Sequence, residues 1–165
     1  MPGLRKPVLH ARIIEALGDA VEDHGPVDQV PFTLRAEGLL AMAVFAFTVT
    51  DPPGGRDVDE LKIQLIVPGQ GRRERGTLTH DDQATFLILL GYSPHYDVFV
   101  LWDAYRHRQF AYSKNCQVRL ATMTDARLTG LGSQPRTLGD GQVETILAAR
   151  PDHLHQALAR RIQIG

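Results

Sequence analysis

Hydrophobic and polar positions alternate along this chain with periods that change from segment to segment. From Pro7 to His24, Val8, Leu9, Ile13, Leu17, Ala20 and Val21 recur at three- and four-residue steps, which predicts a helix with one buried stripe, ended by Gly25-Pro26. Phe32–Arg35 and Ala41–Thr50 read as strands, the second rich in Val, Phe and Thr and closed by Asp51-Pro52-Pro53-Gly54-Gly55. Leu61, Ile63 and Leu65 then alternate with Glu60, Lys62 and Gln64, the pattern of a strand with one buried face. The runs at 41–50 and 61–67 are expected to pair as a hairpin.

Phe86–Tyr92 and Val98–Trp102 are short and almost wholly apolar, so they predict central strands covered on both faces. Gly139–Ala149 and Pro151–Ile162 carry helical spacing, with Pro151 suited to a first helical turn. The expected fold is α+β: a mixed or mainly antiparallel sheet flanked by an N-terminal helix and two C-terminal helices.

Composition narrows this to one globular domain over residues 1–165, with 43% apolar and 22% charged residues. No apolar run approaches the roughly 20 residues that cross a bilayer, and the N-terminus lacks the apolar segment of a signal peptide, so the protein is expected in the cytoplasm. The single cysteine, Cys116, excludes an internal disulfide and a cysteine-rich zinc module. A lone thiol is most often a small buried hydrophobe.

Charge is segregated. The whole chain has a formal net charge of -1, yet residues 62–127 carry nine Lys/Arg against six Asp/Glu. A basic middle on an acidic frame implies one directed contact with a polyanion. Two segments concentrate it. Pro68-Gly69-Gln70-Gly71 delivers Arg72, Arg73 and Arg75, whose planar guanidinium forks match phosphate oxygens or the O6/N7 edge of guanine. The other segment runs from Tyr105 through Arg106, His107, Arg108 and Phe110 to Tyr112-Ser113-Lys114-Asn115-Cys116-Gln117, interleaving aromatic rings with cations. Two cationic loops at strand ends can converge on one ligand. Arg72, Arg75, Arg108, Lys114 and Arg119 are candidates for phosphates, and Gln70, His107 and Asn115 for base edges. Solvated loop charge and ordinary turn capping are the plainer accounts of the same residues.

The succession Asp59-Glu60-Leu61-Lys62-Ile63-Gln64-Leu65, Pro68-Gly69-Gln70 with its arginines, two apolar strands, and Tyr112-Ser113-Lys114-Asn115-Cys116-Gln117-Val118 resembles the DNA sulfur-binding domain of phosphorothioate-dependent, McrA-like type IV restriction enzymes. The resemblance spans about Ala41 to Arg136. It implies a non-catalytic module for duplex DNA in which sulfur replaces a non-bridging phosphate oxygen and enters an apolar pocket. On this chain it implies Tyr112 as the pocket ring, Arg73 or Arg72 as the arginine stem, and Cys116 closing the pocket. Ser113 stands where the family has a proline, and Tyr92 with Pro94 is a competing placement of that pair. Members of that family are usually fused to an HNH nuclease, a module this chain lacks, so a linked nuclease is an expected partner. The ending Arg160-Arg161-Ile162-Gln163-Ile164-Gly165 fits a recognition domain cut from a longer protein.

The enzymatic alternative is a PD-(D/E)xK-like nuclease in which Glu60, Lys62 and Asp51 or Asp57 serve a divalent metal. The seven histidines do not assemble: His153 and His155 are two apart on an expected helix, and His80-Asp81-Asp82 reads as helix-start chemistry, so neither a metal nor another cofactor is expected.

Overall fold

The computed structural model describes residues 3–50, 59–65, 76–78, 82, 84–107, 109–110 and 114–165, without the side chains of 76, 77, 109, 110 and 114. Helix α1 (Lys6–Leu17) leads into β1 (Val21–His24), β2 (Phe32–Ala36), β3 (Met42–Thr48), β4 (Glu60–Leu65) and β5 (Gly76–Thr77). Then come β6 (Phe86–Ser93), β7 (Val98–Trp102), β8 (Gln109–Phe110), β9 (Lys114–Arg119) and α2 (Leu120–Thr129). The chain closes with β10 (Leu131–Thr137), β11 (Val143–Ala149) and α3 (Leu154–Ile164).

Seven strands form a mixed sheet in the order β1-β2-β3-β6-β7-β11-β10, antiparallel except where β3 runs parallel to β6. Its central strands are apolar on both faces because both faces are covered. Odd and even positions of β3, β6, β7 and β11 enter two separate cores. Met42, Val44, Ile88, Leu90, Phe99 and Leu101 meet Leu9, Ile13 and Leu17 of α1 and Leu154 and Leu158 of α3. On the opposite face Phe45, Phe47, Leu89, Val100 and Trp102 meet α2 through Met123 and Ala126, and a two-stranded ribbon formed by β4 and β9 through Leu61, Ile63 and Val118.

The α+β architecture and the central strands are as the sequence predicts, but three elements differ. The first helix stops at Leu17, where Gly18 takes a φ of 54°, and Val21–His24 pairs with β2 as an edge strand. The expected hairpin of 41–50 with 61–67 does not form among the described residues: β3, apolar on both faces, lies between β2 and β6, and an isolated bridge from Thr50, just past β3, to Lys62 is the link to β4. Residues 143–149 are a strand, not a helix, since Ile146 and Ala148 serve one core and Leu147 and Ala149 the other. The second C-terminal helix is Leu120–Thr129, capped by Gly130 at a φ of 101°.

Candidate nucleic-acid interface

The β4–β9 ribbon has one apolar and one polar face because side chains alternate along each strand, and directly paired residues share a side. Leu61 opposite Val118 and Ile63 opposite Cys116 turn to the sheet. Glu60 opposite Arg119, Lys62 opposite Gln117 and Gln64 opposite Asn115 form the other face, with Gln64, Asn115 and Arg119 exposed. From β10, Arg136 reaches this face and donates to Oε1 of Gln117. The result is a surface of three amides and three cations with one carboxylate. Amides carry a donor and an acceptor each, and the cations are suited to phosphates.

The ribbon is held at fixed positions. Trp102 Nε1 donates to the Gln117 carbonyl at 3.0 Å, tying β9 to β7. The Arg119 amide donates to Gln134 Oε1 at 2.8 Å, and Thr122 donates to the same oxygen at 2.7 Å, fixing the β9–α2 corner on β10. Gly91 permits the close approach: a Cβ there would stand 2.7 Å from Val49 Cγ2, 2.9 Å from Ile63 Cγ2 and 3.0 Å from the Trp102 ring.

A buried polar junction adds a third anchor. His107 Nε2 lies 2.9 and 3.0 Å from the two carboxylate oxygens of Glu144, while its Nδ1 lies 3.8 Å from Cys116 Sγ. The Asp103 amide donates to Glu144 at 3.1 Å, and Asp103 accepts from the Tyr105 amide and from Arg106 Nε. Buried Arg161 of α3 donates to the Thr145 carbonyl; burial lowers its pKa, and nearby Asp103 and Glu144 oppose that shift. Thiol, imidazole and carboxylate in a row is the order of an activated cysteine. Here Cys116, His107 and Glu144 are 3%, 2% and 2% exposed, so the row is a strut linking β9, the turn after β7, and β11.

The sequence-predicted residues fall in three groups. Gln70, Arg72, Arg73, Arg75, Arg108, Tyr112 and Ser113 lie outside the described residues, as do Asp51, Asp57, His80 and Asp81. Lys114, Asn115 and Arg119 lie on the strand β9, Lys114 and Asn115 where the sequence suggests a cationic loop. His107 and Cys116 are buried behind the ribbon: the imidazole is engaged by Glu144 and does not present itself to a base edge, and the thiol faces Ile63 instead of an open pocket. The competing aromatic, Tyr92, is also buried, with its hydroxyl donating to Asp97 at 2.6 Å. Burial and that bond push its pKa up to about 12. It borders a cleft of about 360 Å3 lined also by Arg12, Glu15, Asp97 and Asp152, whose carboxylates pair with Arg12, Arg127 and Arg150.

β5, which begins directly after Arg75, pairs with β8, two residues beyond His107, matching Gly76 to Phe110 and Thr77 to Gln109. Gln64, Gln117 and Arg136 were not assigned from sequence. The alternation of β4 and β9 carried the signal for the two glutamines, whereas Arg136 is joined to them only by the sheet.

Glu60 and Lys62 share the polar face, and Glu60 also lines a cleft of about 760 Å3 with Asp59, Arg119 and Asp125. Among the described residues no three His, Cys, Asp or Glu side chains are grouped so as to hold a metal ion, and no helix is long and apolar enough to cross a membrane.

An α+β domain that mounts a polar two-stranded ribbon on a mixed sheet is the class this geometry defines. The chain belongs to the methylase-associated X1 family, whose model matches residues 41–158, a span that includes every strand from β3 to β11. No curated protein and no solved structure matches it.

Proposed function

We propose that this domain binds duplex DNA through the polar face of the β4–β9 ribbon and distinguishes modified from unmodified DNA, in the cytoplasm and alongside a methylase. The observation that carries this reading is the paired register of Lys62 with Gln117 and Gln64 with Asn115, extended by Arg119 and Arg136. A two-stranded ribbon fits the major groove, where Asn and Gln can pair with adenine N6/N7 and flanking cations take the phosphates. The sequence also concentrates cations at 72–75 and 106–114, and such charge favours a polyanionic ligand. The family's name associates its members with methylases; we take the methylase's substrate to be DNA. The modification expected from the resemblance to sulfur-binding domains is a phosphorothioate, with Tyr112 and Arg73 or Arg72 at the sulfur and Ser113 where the family has its proline.

The test is a titration of one fluorescent duplex prepared unmodified, with a single Rp phosphorothioate, and with a methylated base. Binding of all three, tightest for the phosphorothioate by tenfold or more, is the expected outcome. Equal dissociation constants remove the discrimination but keep the DNA reading, and absence of binding overturns both. Asn115→Ala should cost about 1–3 kcal/mol at its preferred base. Cleavage with magnesium that is lost in Lys62→Ala would replace the binding module by the Glu60/Lys62 nuclease.

A further inference from the structure

Where α1 begins, its first turn meets the ends of β3 and β4 around a cleft of about 400 Å3. Lys6 from the helix and Lys62 from the ribbon both line it, together with the side chains of Thr50 and Gln64. No carboxylate is among the described residues of its lining. Lys6 is held in place by its environment: Nζ donates to the Ala46 carbonyl and sits 3.8 Å from the centroid of the Phe47 ring. Burial lowers its pKa to about 8, so an ammonium is kept where its charge is poorly solvated. A carbonyl and an aromatic face offset that cost only in part. An anion entering the cleft would meet two ammonium groups, and its attraction to the half-buried one of Lys6 would be stronger than on an open surface.

We propose that this cleft seats a phosphodiester group of bound DNA, with Lys6 and Lys62 on either side of it and Gln64 leading from the cleft onto the base-reading face. The proposal rests on the DNA reading above and adds a sequence-independent contact that anchors the duplex against the helix end. Lys62 and Gln64 belong at once to the ribbon's polar face and to the cleft, which makes the two surfaces continuous.

The experiment measures the dissociation constant of the full chain for a 15-base-pair duplex between 50 and 300 mM salt. Wild type, Lys6→Met, Lys62→Met, Lys62→Arg and Arg119→Ala are compared, each checked for wild-type circular dichroism. Lys6→Met and Lys62→Met should each weaken binding about 3- to 10-fold at moderate salt and flatten the plot of log Kd against log salt by about one unit. Lys62→Arg should retain the wild-type slope. If both methionine variants keep the wild-type slope while Arg119→Ala loses a unit, the cleft is not a phosphate site and the DNA reading stands. If the wild-type chain binds no duplex, that reading fails and the cleft proposal with it. If Lys6→Met folds poorly, the wild-type affinity across pH 8 is the second measurement of the cleft, because Lys62→Met also removes a cation of the ribbon face: affinity that falls as Lys6 loses its proton supports the cleft, and level affinity overturns it.

Discussion

The two faces of the seven-stranded sheet are covered by different means. On one, α1 and α3 close a core of apolar side chains crossed by few polar ones: His10 stacks on Phe32 at 4.5 Å, and Lys6 and Arg161 each donate to a strand carbonyl, so that covering depends mainly on area removed from water. On the other, the ribbon and α2 also bury Leu61, Ile63 and Val118, but directed bonds from Trp102, Gln134 and the His107–Glu144–Cys116 row hold them in register. Hydrophobic burial fixes that two layers meet without fixing where along one another they sit. Hydrogen bonds and close contacts fix position, and position matters for a surface whose side chains must match a ligand. The helix face gives stability, and the ribbon face gives placement.

Core truncation on the helix face should give the largest loss of stability. Leu158→Ala, at a fully buried position against the sheet, is expected to cost about 2–5 kcal/mol in urea denaturation while leaving the DNA affinity of the folded fraction unchanged. Gly91→Val, beneath the ribbon, should cost about 1–3 kcal/mol or somewhat more, since Val49, Ile63 and Trp102 must all shift. It should also weaken DNA binding. A Gly91→Val protein with full affinity would break the contrast between the two faces.

That contrast was only partly legible in the sequence. Strands buried on both sides, such as Phe86–Ser93 and Val98–Trp102, announce themselves by uninterrupted apolar runs. The period-2 alternation of Glu60–Leu65 showed which residues would face out, though not that its partner would be Lys114–Arg119 and not the preceding strand. Strand pairing over 50 residues depends on which edges remain open once the main sheet has formed, and local pattern does not encode that. The run at 143–149 shows the opposite failure: Val143, Ile146 and Leu147 satisfy a helical period by coincidence, while alternate burial on two cores decides for a strand. The buried row was invisible because Glu144 lies 37 residues from His107. A lone cysteine and scattered histidines look inert until the sheet brings them together.

Glu144→Gln sharpens the comparison at smaller amplitude. Its carboxylate accepts from the Asp103 amide and engages His107, and an amide of the same shape replaces one of those acceptor oxygens by a donor. A loss of about 1–3 kcal/mol is expected. Amide hydrogen exchange should locate it, with protection falling on β9 and β4 more than on β2 or β3. Uniform loss of protection across both faces would mean that the row supports the whole fold and has no particular part in holding the ribbon.

The smallest effect is also the one with the most informative sign. Lys6 titrates near 8 in the folded protein against an ordinary value of 10.5, so between those limits the unfolded chain holds a proton that the folded chain has released. Stability contributed by this group must therefore rise as pH climbs from about 8 to about 10.5, and be constant below that window where both states are protonated. Among the described residues, Lys62 is the other charged group lining the cleft, β3 supplies none, and His10 on α1 has its pKa pushed below the ordinary 6.5 by burial, so it is neutral throughout the window. Other groups titrate there as well; subtracting the pH profile of Lys6→Met isolates the Lys6 contribution. DNA binding should run the other way, because a phosphate prefers the protonated ammonium, and affinity should fall as pH passes about 8. Opposite slopes for stability and affinity, both absent in Lys6→Met, are what a charge kept for a ligand at a cost in folding requires. A wild-type affinity that stays level from pH 7 to pH 9 would leave Lys6 as a buried amine with no phosphate to meet.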